Sequence, residues 1–213
     1  MNKKLILIGA AVIAVILLLY GVSHYVTNVA GPTSTVDSST TTTVPAAAQV
    51  PTGWQHYTAD TFAVDYPPGY TVNAKYKYTA LGPGKDIPGV SFTIPSSLSS
   101  GTNLSSDTHL SVEILPSGTC EGRSFLDAPR QQDTVTENGR SWSVAKGGGA
   151  GAGNFYDETV YALQDGTHCY GLRLFIHSTN IGNYTPGTVT EFDRSALDEI
   201  FAQFRAGFTT TGQ

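Results

Sequence analysis

The stretch FYDETVYALQDGTHCYGLRLFIHS, residues 155–178, constrains the fold more than any other part of the chain. Side chains alternate with period two on both sides of Asp165-Gly166, a dipeptide suited to a tight turn. The pattern predicts a hairpin of two long strands, one ending near Leu163 and one starting near Thr167. On the second strand, Tyr170, Leu172, Leu174 and Ile176 share one face, and Cys169, Gly171, Arg173 and His177 share the other. The first of these faces must be buried against something, and the remainder of the chain supplies more strands. WQHYT and TFAVDYP flank a turn at Ala59-Asp60, and YTVNAKYKYTA continues as a third strand. GVSFTIP and HLSVEILP alternate, and Asn138-Gly139 joins two alternating runs within residues 133–146. One amphipathic helix closes the chain: Leu197, Ile200, Phe201 and Phe204 recur at helical spacing. Asp193 or Thr190 caps its start and Gly207 ends it. These elements predict an α+β fold, an antiparallel sheet covered by a C-terminal amphipathic helix.

A different pattern precedes this domain. Residues 5–22, LILIGAAVIAVILLLYGV, form an apolar run of 18 residues. As a helix it would span about 27 Å, close to the thickness of a bilayer core. Lys3 and Lys4 orient such a segment with its N-terminus inside. A cleaved signal peptide is the rival reading, with Gly21-Val22-Ser23 as its small-residue site. Either way the rest of the chain is exported. The residues from Gly31 to Thr52 are rich in Thr, Ser, Pro and Ala, carry almost no charge and lack periodicity. Such a segment cannot bury enough apolar surface to offset its ordering entropy. The expected organisation is a cytoplasmic stub at 1–4, a transmembrane anchor at 5–22, a disordered linker at 23–52, an extracytoplasmic domain at 53–208 and a flexible tail at 209–213.

Charge and cysteine content narrow the function. The net charge is −5, and Lys3 and Lys4 lie before the apolar run, so the remainder is more acidic still. An acidic surface repels phosphate backbones, which argues against nucleic acid as a partner. The two cysteines, Cys120 and Cys169, both lie in the exported part, where a structural disulfide between them is expected.

KGGGAGAGN, Lys146 to Asn154, contains G-x-G-x-x-A at Gly147, Gly149 and Ala152. A phosphate loop follows a strand and opens a helix, but here an alternating run follows. The stretch is read as a flexible inter-strand loop or a glycine-rich bulge, with no nucleotide or other cofactor. His168 and Cys169 are neighbours on a strand and point to opposite faces, so they cannot share a metal ion. Asp157 and Glu158 diverge for the same reason and make a poor glycosidase pair. No G-x-S-x-G is present. No catalytic residues are therefore assigned. Glu113 and Arg173, both on polar faces, read as a cross-strand ion pair; the sharper alternative places Arg173 with His177 on an anion-binding face. Tyrosine is abundant, with 11 in the chain, and amphipathic rings on a sheet suit recognition. The candidate ligand-binding residues are Arg173, His177, Tyr156, Asn180 and Tyr184.

YTADTFAVDYPPGYTV resembles the start of PsbP-like domains, where a strand ending in Tyr-Pro precedes a Gly-aromatic turn. Residues 89–116 and 152–193 are similar to a set of bacterial envelope proteins. The resemblance covers most of residues 54–208. It implies an antiparallel sheet with a terminal helix in an anchored, exported domain, and it brings no established activity. The expected function is non-catalytic binding or scaffolding in the bacterial envelope, periplasmic or extracellular. The partners would be the membrane, through the N-terminal helix, and another envelope protein or a cell-wall polymer. The alternatives are an enzyme acting on cell-wall or surface polymer and an inhibitor of an extracellular hydrolase.

Overall fold

The computed structural model describes residues 52–116 and 118–211. The expectations for the stub, the anchor and nearly all of the linker lie outside these residues. Among the described residues no helix is long and apolar enough to cross a membrane.

Ten strands among the described residues form two antiparallel sheets. They are β1 (Gln55–Thr58), β2 (Phe62–Tyr66), β3 (Thr71–Tyr78), β4 (Ile87–Thr93), β5 (His109–Pro116), β6 (Gln131–Glu137), β7 (Arg140–Gly151), β8 (Asn154–Asp165), β9 (His168–Thr179) and β10 (Thr209–Thr210). The larger sheet has the order β3-β4-β5-β9-β8-β7-β6, and the smaller has the order β1-β2-β10. The central position of β9 follows from its sequence, which is apolar enough to be buried along most of its length.

The fold therefore differs from the expected α+β layer of one sheet covered by a C-terminal helix. It is mostly β, and two sheets share the core. Pro67 and Pro68 supply the physical reason. Lacking N–H donors, they break the ladder after β2, so β3 does not extend that hairpin. The chain restarts with β3 against β4, leaving β1 and β2 as a separate sheet. Residues 209–210, expected in a flexible tail, pair with β2 as Thr209↔Ala63 and Thr210↔Phe62.

The core lies on the inner face of the large sheet. Val90, Phe92, Leu110, Val112, Leu172, Leu174 and Ile176 meet Phe62 and Val64 of the small sheet. Phe62 stands 6.2 Å from Tyr170 between ring centroids, and the Tyr170 hydroxyl donates to the Thr61 carbonyl at 3.1 Å. The helix Arg194–Ala206 buries Leu197, Phe201 and Phe204 in the same core. Its N-terminus is capped by Asp193, which accepts from the Ala196 N–H at 3.1 Å and from the Ser195 hydroxyl at 2.6 Å. The Ser195 hydroxyl, and after it the Ala196 N–H, hold the Asp193 carboxyl below its usual pKa.

The turns follow their residue types. Asn138 and Gly139 have φ of 51° and 74° between β6 and β7. Asp165 pairs with His168, which places the β8–β9 turn at Gly166-Thr167, one residue later than Asp165-Gly166. The glycine run is neither a loop nor a flexible connection: it is the second half of β7. Gly147, Gly148 and Gly149 pair with Glu158, Asp157 and Tyr156, and Ala152-Gly153 form the turn into β8. At Gly148 a side chain is excluded by close approach. A Cβ on Gly148 would lie 2.1 Å from the Tyr156 carbonyl oxygen, and its φ is 142°.

Candidate functional site

The outer face of the large sheet is built over a buried ion network. Ser111 and Glu113 of β5, Arg173 of β9 and Glu158 of β8 project to that face. Arg173 donates to both Glu113 oxygens at 2.7 Å, to Glu158, and to the Phe125 carbonyl at 2.6 Å. Its guanidinium lies 3.6 Å from the centroid of the Tyr78 ring. Ser111 donates to Glu113 at 2.9 Å. The side chains of Arg173 and Glu113 are 0% exposed, and that of Glu158 is 14% exposed.

Removing these charges from water is costly, and only near-complete pairing sustains them. Burial acts to lower the Arg173 pKa, but the Glu113 carboxylate and its hydrogen bonds overcome that, so the net shift is upward. Burial also pushes the Tyr78 phenol up to about 12.

Two local features make the network possible. Gly171 lies between Tyr170 and Leu172 on β9, and a Cβ there would meet the Phe125 ring at 2.6 Å. Only glycine lets Phe125 lie over β9 and aim its carbonyl at Arg173. The Phe125 segment, a 3-10 turn at Gly122–Phe125, is tethered by the disulfide Cys120–Cys169, whose Cα atoms are 5.4 Å apart.

Beside the network runs a groove of about 570 Å³. Its floor is β4, where Ser91 and Thr93 present small side chains outward. Tyr76 borders it from β3, which carries a register irregularity between Asn73 and Tyr76. On the opposite side stand His109 of β5 and Phe175 of β9. The Tyr76 and His109 rings are 5.3 Å apart, and those of His109 and Phe175 are 4.9 Å apart.

His109 has a defined tautomer. Its Nδ1 lies 2.7 Å from the Asp107 carbonyl, which can only accept, so Nδ1 carries the proton. Nε2 is then the acceptor for the Tyr76 hydroxyl at 3.3 Å. Burial lowers the His109 pKa and raises that of Tyr76, so both rings are held neutral.

His177 and Tyr156 extend this aromatic row. Their rings stack at 4.5 Å, and Tyr156 also stacks with Phe175 at 6.4 Å. The His177 Nδ1 lies 2.8 Å from the Asp107 carboxylate, while its buried Nε2 has no protein partner among the described residues.

Of the five residues singled out by sequence, the structure gathers Arg173, His177 and Tyr156 on this outer face. Arg173 pairs with Glu113, as the cross-strand reading expects, and both side chains are buried. Its guanidinium is occupied by protein groups, so it does not form an open anion-binding face with His177. Asn180 caps a 3-10 turn by accepting from the Gly182 N–H at 2.9 Å, and Tyr184 follows that turn; neither lines the groove. Asp157 and Glu158 diverge as expected: Asp157 accepts from Arg194 at 2.9 Å, and Glu158 faces Arg173. Sequence reasoning misses Tyr76, Asp107, His109 and Phe175 as site residues. The alternation of HLSVEILP does put His109, Ser111 and Glu113 on one polar face, but only the fold brings Tyr76 across β4 to meet it.

The geometry defines a mostly β domain with an aromatic groove on its large sheet. No protein-family model matches the chain, and no curated protein matches it. A crystal structure of a protein from Bacteroides thetaiotaomicron VPI-5482 is similar at a TM-score of 0.40 and 12% identity, over 71% of this chain and 46% of that one. The chain thus spans less than half the length of that protein, and a likeness so distant carries no argument.

Proposed function

We propose that the chain is a membrane-anchored, extracytoplasmic binding module of the bacterial envelope, and that the outer-face groove is its binding site. The observation that carries this reading is the groove itself: neutral aromatic rings and small hydroxyls line it, beside a buried ion network. A pocket of this volume with an aromatic lining and a few convergent polar groups has the usual form of a ligand site. The disulfide supports an oxidising compartment, and the apolar run at residues 5–22 supports an anchor. Binding is favoured over turnover because Glu113 and Glu158 both pair with Arg173 and the groove's own carboxylate, Asp107, lies 2.8 Å from His177 Nδ1, so no two unpaired carboxylates among the described residues converge on the groove.

The test places a photoreactive side chain at Thr93, in the groove, or at Ala202, on the exposed side of the C-terminal helix, in cells expressing the full chain. Irradiation should give a discrete adduct from position 93 and none from position 202. Protease added to spheroplasts should remove the domain. Absence of a groove adduct, equal labelling from both positions, or a domain protected with cytosolic proteins would contradict the proposal.

A further inference from the structure

We infer that the groove over β4 takes a short segment of a neutral pyranose glycan. The inference rests on the proposed binding role and names its ligand class. A pyranose ring presents C–H groups on one face and hydroxyls around its rim. The first need an aromatic surface, and the second need short donors and acceptors beside it. The groove supplies both, with Tyr76 and Phe175 as aromatic walls and Thr93, Ser106 and Asp107 as polar neighbours.

Charge decides against ionic ligands. Asp107 on the lining is acidic, and Lys77 of β3 points to the face opposite Tyr76 and Tyr78, away from the groove. Beside the groove, Glu113 and Glu158 outnumber Arg173 by one formal charge. A phosphate- or carboxylate-bearing ligand would meet Asp107 on the lining and a net negative network beside it, whereas an uncharged polyol carries no such penalty.

Backbone pairing decides against an extended peptide. Strand addition needs an open sheet edge, but β4 is paired on both sides, with β3 and β5. The floor therefore offers no free row of N–H and C=O groups, and recognition must use side chains. The volume of about 570 Å³ and the open lining across four strands suit part of a polymer.

The inference is tested by titrating the full chain, in a sugar-free detergent, with chitotetraose, maltotetraose, xylotetraose and the carboxylated tetragalacturonate, read by calorimetry and ligand-observed NMR. At least one neutral tetrasaccharide should bind saturably, with Kd on the order of 0.1–1 mM. Tetragalacturonate should bind at least about tenfold more weakly, a difference of about 1.4 kcal/mol. Phe175→Ala and Tyr76→Ala should each weaken binding by a similar factor. Ser106→Trp, at an exposed position on the groove rim, should block it while leaving the fold intact. No saturable binding of any neutral probe to the folded protein would overturn the inference. So would equal affinity for tetragalacturonate, or affinity unchanged by Ser106→Trp. If glycan titration fails while position 93 still crosslinks in cells, the ligand class falls and the binding face stands. If both fail, the binding role falls as well.

Discussion

Burying Arg173 between Glu113 and Glu158 places three charges where water is excluded, and each depends on the others. Arg173→Leu would leave two carboxylates facing one another without a cation. The expected loss is about 3–5 kcal/mol of folding stability, measured by denaturant unfolding. A near-neutral result would mean that the network is not closed in solution. His109 makes a second residue-level prediction. Its pKa is lowered by burial, so the unfolded state binds more protons below the ordinary histidine value of 6.5. Its contribution to stability is therefore present above that pH and is lost as pH falls through the folded-state value. Denaturant midpoints should fall between neutral and mildly acid pH, and His109→Gln should flatten that slope. A slope unchanged by the substitution would show that His109 is not the titrating group. The Glu113–Arg173 pairing is legible in the sequence because both residues sit on the polar side of a period-two pattern. Its burial is not, because it depends on Gly171 admitting Phe125 and on the disulfide that holds the Phe125 segment in place.

At the scale of elements, the glycine run shows how composition misleads. Three consecutive glycines give no alternation, so nothing in Gly147–Gly149 marks a strand. The structure uses the missing side chain of Gly148 to bring β7 close to β8. Gly148→Ala should cost on the order of 1–3 kcal/mol, because its φ of 142° and a Cβ 2.1 Å from the Tyr156 carbonyl are both unfavourable. Gly149→Ala, with open space around its Cβ, should fall within about 0.5 kcal/mol of the parent. Equal thermal melts for the two variants would contradict the close approach. The Asn138-Gly139 hairpin is legible because both residues tolerate positive φ. The small sheet is not: Pro67-Pro68 marks a break, but which strands regroup after it depends on the return of residues 209–210 to β2.

At the scale of the molecule, the two faces of the large sheet have separate tasks. The inner face packs on the small sheet and the helix and holds the domain together. The outer face carries the ion network and the groove. Period-two alternation makes this division visible along each strand, while the chemistry of the outer face emerges only when β3, β4, β5, β9 and β8 are brought side by side. The most direct measurement is amide hydrogen exchange of the full chain with and without the detergent-solubilised envelope fraction of its host. The account predicts new protection confined to the groove, at residues 76–80, 91–93, 106–109 and 175, with the C-terminal helix and the small sheet unchanged. Protection confined to the helix and the small sheet, with the groove exchanging as before, would contradict it.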